Sequence, residues 1–129
     1  MVVGENEISG VNLDRSIKIH TALGPGLLES VYHRILAYEL RKAGLKVETE
    51  VTIPVKRGGH TIDESFRADL IVNEKVLIEL RSVECSTALH RKQTLTYIKL
   101  ANVQLGLLIS FGAELLKDDL HRLVNSLTD

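Results

Sequence analysis

Hydrophobic residues recur at helical spacing in the first third of the chain, which predicts two amphipathic helices. The first helix runs from about Ser9 to Leu23, and the second runs from about Leu27 to Ala43. Gly24-Pro25-Gly26 separates them, because such a sequence stops a helix and begins a turn. Gly44 is a suitable residue to end the second helix.

The middle of the chain has the period of strands instead. Val47 to Val55 alternates between apolar and polar side chains, and Pro54 indicates an edge strand or the end of a strand. Gly58-Gly59, within the turn from Lys56 to His60, is a typical hairpin signal. A pair of strands follows from about Ile62 to Arg81, with a turn at Asn73-Glu74, so we expect three consecutive strands.

The last third predicts a helix, a buried strand and a final helix. Ser86 or Thr87 is expected to cap a helix that ends near Ala101. Val103 to Phe111 is almost continuously apolar, which is typical of a strand covered on both faces, and Leu115 to Leu127 is amphipathic. The order is therefore α-α-β-β-β-α-β-α, and the strands on either side of the third helix should be parallel. We expect one α/β domain, residues 1–129, with a mixed sheet flanked by helices.

Composition narrows the class of protein. The chain has 129 residues, 16 basic and 17 acidic, so nucleic-acid binding would need a local basic patch. Cys85 is the single cysteine, which excludes an intrachain disulfide and fits a reducing compartment. The polar N-terminus is unlike a signal peptide, and no apolar run is long enough to span a bilayer. We therefore expect a cytoplasmic protein without membrane contact.

Charged residues interrupt the hydrophobic pattern of the strand pair. The apolar positions expected on one face are Phe66, Ala68, Leu70, Val72, Val76, Ile78 and Leu80. If the strands pair as a hairpin, Asp69, Glu79 and Arg81 emerge together on the opposite face. Such a group is costly unless it is paired, bound to metal or solvated. A solvated surface salt bridge is the simpler explanation, and a functional site is the alternative.

A motif at the start of the second helix adds to this picture. Gly26-Leu27-Leu28-Glu29-Ser30-Val31-Tyr32 matches the signature GxxExxY, and His20 to Pro25 resembles its usual lead-in. From about Ile17 to Phe111 the chain resembles the GxxExxY protein family, a branch of the PD-(D/E)XK nuclease superfamily. The resemblance implies a restriction-endonuclease-like core with a mixed four-stranded sheet between helices.

The same resemblance implies an active site. Asp69 corresponds to the motif aspartate, Glu79 to the motif acid and Glu29 to the acid of an earlier helix. Gln93 and Tyr97 match the QxxxY motif of the RecB-like branch. The expected cofactor is Mg²⁺ or Mn²⁺, bound by the three carboxylates with the Leu80 carbonyl as a further ligand. The metal would polarise a phosphodiester and activate water.

One position departs from the superfamily pattern. The sequence reads Glu79-Leu80-Arg81 where Glu-x-Lys is expected. Arginine stays protonated and cannot act as a general base, although it can clamp a phosphate. Lys92 is a candidate for a relocated lysine. The expected nucleic-acid contacts are Arg91 and Lys92 beside the site, with Tyr32 as an aromatic contact; His90 and the turn residues Lys56, Arg57 and His60 are further basic candidates.

Two functions of different classes follow. The first is a metal-dependent nuclease that cleaves DNA, favoured over RNA, and that forms a homodimer in one version of the hypothesis. The second is a catalytically silent nuclease-like domain that binds nucleic acid or a protein partner, since Arg81 replaces the motif lysine. A purely structural role of the carboxylates is a third, weaker alternative.

Overall fold

The computed structural model describes residues 3–125, apart from the side chains of residues 63–65. The helices are α1 (Glu5–Leu23), α2 (Glu29–Lys42) and α3 (Ala88–Leu100), and a short 3₁₀ helix spans Leu116–Asp119. The strands are β1 (Val47–Arg57), β2 (His60–Val72), β3 (Val76–Arg81), β4 (Leu105–Ser110) and β5 (Leu120–Val124). No helix in the described part of the chain is both long and apolar enough to cross a membrane.

The strands form one mixed sheet in the order β1-β2-β3-β4-β5. Strands β3 and β4, which flank α3, are parallel as predicted, and the other neighbours are antiparallel. Pro54 lies where the β1–β2 register shifts. Strand β1 is an edge strand, which confirms the prediction made from Pro54. The described sheet has five strands. The prediction of four is therefore wrong.

The extra strand replaces the predicted final helix. Leu120 pairs with Ile109, and Val124 pairs with Leu105, so β5 extends along the outer edge of β4. Because β4 is buried along its whole length, its backbone groups need hydrogen-bonding partners on both sides. Pairing there outweighs the helical spacing of the leucines, and the helix predicted from Leu115 to Leu127 is wrong. Its last two positions lie outside the described residues.

Helices cover both faces of the sheet, which confirms the predicted α/β architecture. Helices α1 and α2 pack on one face through a large apolar cluster that includes Ile8, Tyr32, Leu36, Ile78 and Leu107. Helix α3 packs on the other face, where Ile98 lies in a smaller cluster with Ile71 and Leu77. Helix α3 approaches β4 closely at Gly106, because a Cβ atom there would meet the side chain of Ile98 at 2.5 Å.

Strand β2 does not keep one apolar face along its length. Leu70 and Val72 belong to the cluster beneath α1 and α2, whereas Phe66 and Ala68 pack in the cluster beneath α3. The prediction that these four share a face is therefore wrong. The change occurs at Asp69, whose pairs with both neighbouring strands are missing from the ladders. Glu50, the β1 residue opposite Asp69, has a φ of 50°, so the strand pair is irregular at the point where the side chains change face.

Candidate active site

The β2–β3 ladder opens at Asp69 and Glu79, and their side chains take over the backbone hydrogen bonds. The regular pairs end at Leu70 and Ile78. Beyond them, the Asp69 N–H donates to Glu79 Oε1 at 3.1 Å, and the Leu80 N–H donates to Asp69 Oδ2 at 2.8 Å. These reciprocal bonds fix both carboxylates where the two strands separate, so Asp69 and Glu79 lie together as predicted.

Glu79 is the more deeply placed of these two acids. Its side chain is 2% exposed, against 24% for Asp69. Burial, and next the negative charge of Asp69, raise the pKa of Glu79 to about 8, while the hydrogen bond from the Asp69 N–H and the charge of Arg81 oppose the rise. A carboxyl with this pKa is mostly protonated at pH 7, so a cation that binds it must displace a proton.

The guanidinium of Arg81 lies over both carboxylates. Its Nη1 donates to the Leu80 carbonyl at 2.8 Å and to Glu79 Oε2 at 3.4 Å. The same nitrogen is 3.9 Å from Asp69 Oδ2. Two carboxylates and a backbone carbonyl therefore converge on one point, and a permanently charged nitrogen is at that point.

Glu29 joins this group from the start of α2. Its carboxylate accepts a hydrogen bond from the Ser82 backbone, directly after β3. Burial, and next the charge of Asp69, raise the pKa of Glu29, whereas the charges of Arg81 and His33 oppose this. The charge of Asp69 on β2 therefore acts on the acids of two other elements, Glu29 on α2 and Glu79 on β3.

His33 is a site residue that the sequence analysis missed. It lies one helical turn after Glu29, and its Nε2 is 2.8 Å from the Asp69 carbonyl. Since a carbonyl only accepts, this nitrogen must carry the proton. The bond occupies the carbonyl that the open ladder leaves without a strand partner. The spacing Glu29-x-x-x-His33 was the available signal, but an acid and a histidine one turn apart are common on helices.

Tyr32 has a structural task that excludes its predicted contact with nucleic acid. The residue is completely buried, and its ring stacks on Phe111 with centroids 4.5 Å apart. Its hydroxyl donates to the Gly24 carbonyl and accepts from the Leu27 N–H at 3.1 Å. Tyr32 therefore fixes the loop that precedes α2, and with it the position of Glu29.

Helix α3 brings Gln93 and Tyr97 to the face of the sheet that Glu79 shares with Leu77. Both residues are half-buried, and the Tyr97 ring stacks on Phe66 at 3.7 Å between centroids. Within the described residues, no hydrogen bond joins Gln93 or Tyr97 to the carboxylates of Asp69 and Glu79.

The start of α3 carries the predicted basic contacts. Thr87 is the N-cap, and it exchanges hydrogen bonds with His90 in a capping box, which confirms one of the two predicted caps. His90 Nδ1 is therefore engaged by the Thr87 N–H. Lys92 is exposed and Arg91 is half-buried, so both side chains have access to solvent.

A basic groove that the sequence analysis did not identify lies on the α2 side of Asp69. A cavity of about 330 Å³ is lined by His33, Arg34, Ala37, Arg41, Thr49 and Glu50. Three of these side chains are basic, and His33 also contacts Asp69. The turn residues Lys56, Arg57 and His60 are at the far end of β2, roughly 30 Å away along the strand.

The oxygen atoms at the point where β2 and β3 separate are of the types that bind a hard divalent cation. Carboxylate and carbonyl oxygens are the donors that Mg²⁺ and Mn²⁺ prefer, and Asp69, Glu79 and Leu80 supply them. Across residues 3–125, however, no three His, Cys, Asp or Glu side chains of known placement gather as a metal-binding group. Glu29 is therefore near the other two acids without completing a preformed set of three carboxylates.

The comparison with protein-family models agrees with these features. The sequence model of the PD-(D/E)XK nuclease superfamily matches residues 6–123. The chain also aligns with the crystal structure of SSO0001 at 19% sequence identity and a TM-score of 0.44, over 95% of this chain and 67% of that chain. No curated protein matches the chain. The range matched by the superfamily includes every residue of the site, from Glu29 to Tyr97.

Proposed function

The chain belongs to the PD-(D/E)XK nuclease superfamily, and we propose on this basis that it is a divalent-metal-dependent nuclease acting on DNA rather than RNA. The observation that carries the proposal is the convergence of Asp69, Glu79 and the Leu80 carbonyl on one point. We also assign the chain to the GxxExxY branch, supported by the motif that ends at Tyr32, and to a RecB-like relationship, supported by Gln93 and Tyr97.

Each residue then has a role that its contacts allow. Asp69, Glu79 and the Leu80 carbonyl would hold Mg²⁺ or Mn²⁺, and Glu29 would act as a ligand through a bound water. The bound cation would polarise the phosphodiester and lower the pKa of the attacking water. Arg81 would stabilise negative charge on the phosphate, for which its guanidinium is suited.

The substrate strand would be positioned by residues around the carboxylates. Gln93 and Tyr97 would orient the strand or the water, with Tyr97 supported by its stack on Phe66. Arg91 and Lys92 would contact phosphates at the start of α3. The basic groove of His33, Arg34 and Arg41 is a second candidate path for the backbone.

The proposal is tested by cleavage of single- and double-stranded DNA and RNA with Mg²⁺ or Mn²⁺. Glu79→Ala should abolish cleavage, and Glu79→Gln, which keeps the side-chain shape, should do the same. Glu48→Ala removes an exposed carboxylate of β1 and should cleave like the native protein. If the Glu79 variants fold and cleave at the native rate, the assigned site is wrong.

A specific observation favours a second function. Arg81 Nη1 occupies the point at which the oxygens converge, as expected if the domain binds nucleic acid or a protein partner without catalysis. Arg81→Lys separates the two functions. A native protein that is inert and an active lysine variant would identify a silent domain, whereas cleavage by both would mean that arginine is sufficient.

A further inference from the structure

Arg81 replaces the motif lysine, and its guanidinium also lies among the oxygens that were proposed to hold the metal ion. One nitrogen, Nη1, lies 2.8 Å from the Leu80 carbonyl, 3.4 Å from Glu79 Oε2 and 3.9 Å from Asp69 Oδ2. These are the oxygens proposed to hold the metal. If the Arg81 side chain extended into solvent, these oxygens would be free, but the side chain folds back over β3.

The Arg81 guanidinium and a divalent metal ion cannot occupy this position together. Mg²⁺ binds oxygen ligands at about 2.0–2.1 Å, so a metal on these three oxygens would be in contact with the guanidinium nitrogen. Both groups are permanently positive, and their repulsion adds to the steric overlap. The Arg81 side chain is 21% exposed, which leaves it a route towards solvent.

We propose that Arg81 is a built-in competitor of the divalent cation, so that metal binding requires its guanidinium to leave Asp69, Glu79 and Leu80. This inference rests on the proposed metal-dependent function. Without metal, the Arg81 guanidinium offsets the charge of Asp69, donates a hydrogen bond to Glu79 and holds the open end of the β2–β3 ladder together. With metal, the released guanidinium points away from the carboxylates, where it can reach a phosphate.

The test is Mn²⁺ binding to the native protein and to Arg81→Ala, measured by calorimetry and by the electron paramagnetic resonance signal of free Mn²⁺. Arg81→Ala should bind Mn²⁺ with a dissociation constant about tenfold or more below the native value. Adding Glu79→Gln to Arg81→Ala should remove this gain, because the gain depends on the same oxygens.

Arg67→Ala is the matched control. Arg67 is two residues before Asp69 on β2, is 67% exposed and lies 3.9 Å from Glu50. Its loss removes the same charge near the site without opening the metal position, and it should change Mn²⁺ affinity by no more than about twofold. Equal gains in Arg67→Ala and Arg81→Ala, or no gain in either, would overturn the proposal. Arg81→Gln replaces the alanine variant if circular dichroism indicates that the latter does not fold.

The outcome separates this inference from the proposed function. If Arg81→Ala gains no affinity but the native protein cleaves DNA in a Glu79-dependent manner, the nuclease function stands and the competitor role is wrong. If Arg81→Ala gains affinity while the native protein is inert, the competitor role stands and the nuclease function fails.

Discussion

A carboxyl group buried as deeply as that of Glu79 makes the stability of the fold depend on pH. Its pKa is about 8 in the folded chain, against an ordinary value of 4.5. Between these values the unfolded chain loses the proton while the folded chain keeps it. The contribution of Glu79 to stability is therefore fully present below pH 4.5 and declines as pH rises to about 8, by roughly 1.4 kcal/mol per pH unit at most.

Glu79→Gln removes this dependence, because glutamine does not titrate. We expect the free energy of unfolding of the variant, relative to native, to increase from pH 5 to about 8 and then to stay level. Urea unfolding at several pH values, without metal, measures it. Glu48→Gln on the exposed side of β1 controls for the loss of a glutamate. Parallel profiles for native protein and Glu79→Gln would contradict the raised pKa.

Single residues were predictable where their chemistry conflicted with their position. Asp69, Glu79 and Arg81 attract attention because charged residues interrupt apolar strands, and the structure does bring them together. His33 was not predicted, because its spacing from Glu29 is common on helices and its partner is a backbone carbonyl 36 residues away. The nucleic-acid contact predicted for Tyr32 was wrong, because the GxxExxY motif identifies the residue but does not reveal that its side chain is buried.

At the level of elements, the segment after β3 depends on close packing against Gly112. A Cβ atom at Gly112 would lie 2.5 Å from the Val83 carbonyl oxygen and 2.9 Å from the Ser82 carbonyl carbon. Ser82 also donates its backbone N–H to Glu29. The approach of these backbones therefore helps to place the acid of α2 beside β3.

Gly112→Ala should force the 82–83 segment outwards and destabilise the fold by about 1–3 kcal/mol. Gly10→Ala is the matched control, because no atom lies within 4 Å of its Cβ position and the residue is in α1. It should stabilise the protein by about 0.5–1 kcal/mol. Urea unfolding compares the two. Native stability in Gly112→Ala would mean that the backbone adjusts without cost.

Elements with a strong local signal were predicted, and those set by distant pairing were not. Helix α3 has a capping residue at Thr87, and β4 is a continuous apolar run, so both follow from local sequence. Strand β5 forms because β4 offers a free edge, which a local pattern cannot reveal. The change of face in β2 has the same origin, since it arises where Asp69 leaves both ladders.

At the scale of the whole molecule, Asp119 ties the segment that follows the site to the last strand. Its carboxylate accepts from both the Ser86 N–H and the Ser86 hydroxyl, the latter at 2.7 Å, and from His121 Nε2 at 2.5 Å. Burial opposes ionisation, but these hydrogen bonds outweigh it and lower the pKa of Asp119. Because Ser86 directly precedes the cap of α3, this tie also positions the helix that carries Gln93 and Tyr97.

Asp119→Ala should destabilise the fold by about 2–4 kcal/mol, because the variant leaves two buried donors of Ser86 without a partner. Ser86→Ala loses only the hydroxyl bond and should cost about 1 kcal/mol. Asp118→Ala, a substitution of the exposed neighbour, should leave the free energy of unfolding close to the native value.

Since the folded pKa of Asp119 is lowered, the stability advantage of the native protein over Asp119→Ala should shrink as acidic pH protonates the carboxylate. Urea unfolding at neutral and acidic pH measures both effects, and equal stability of the Asp118 and Asp119 variants would mean that β5 is held by its ladder alone.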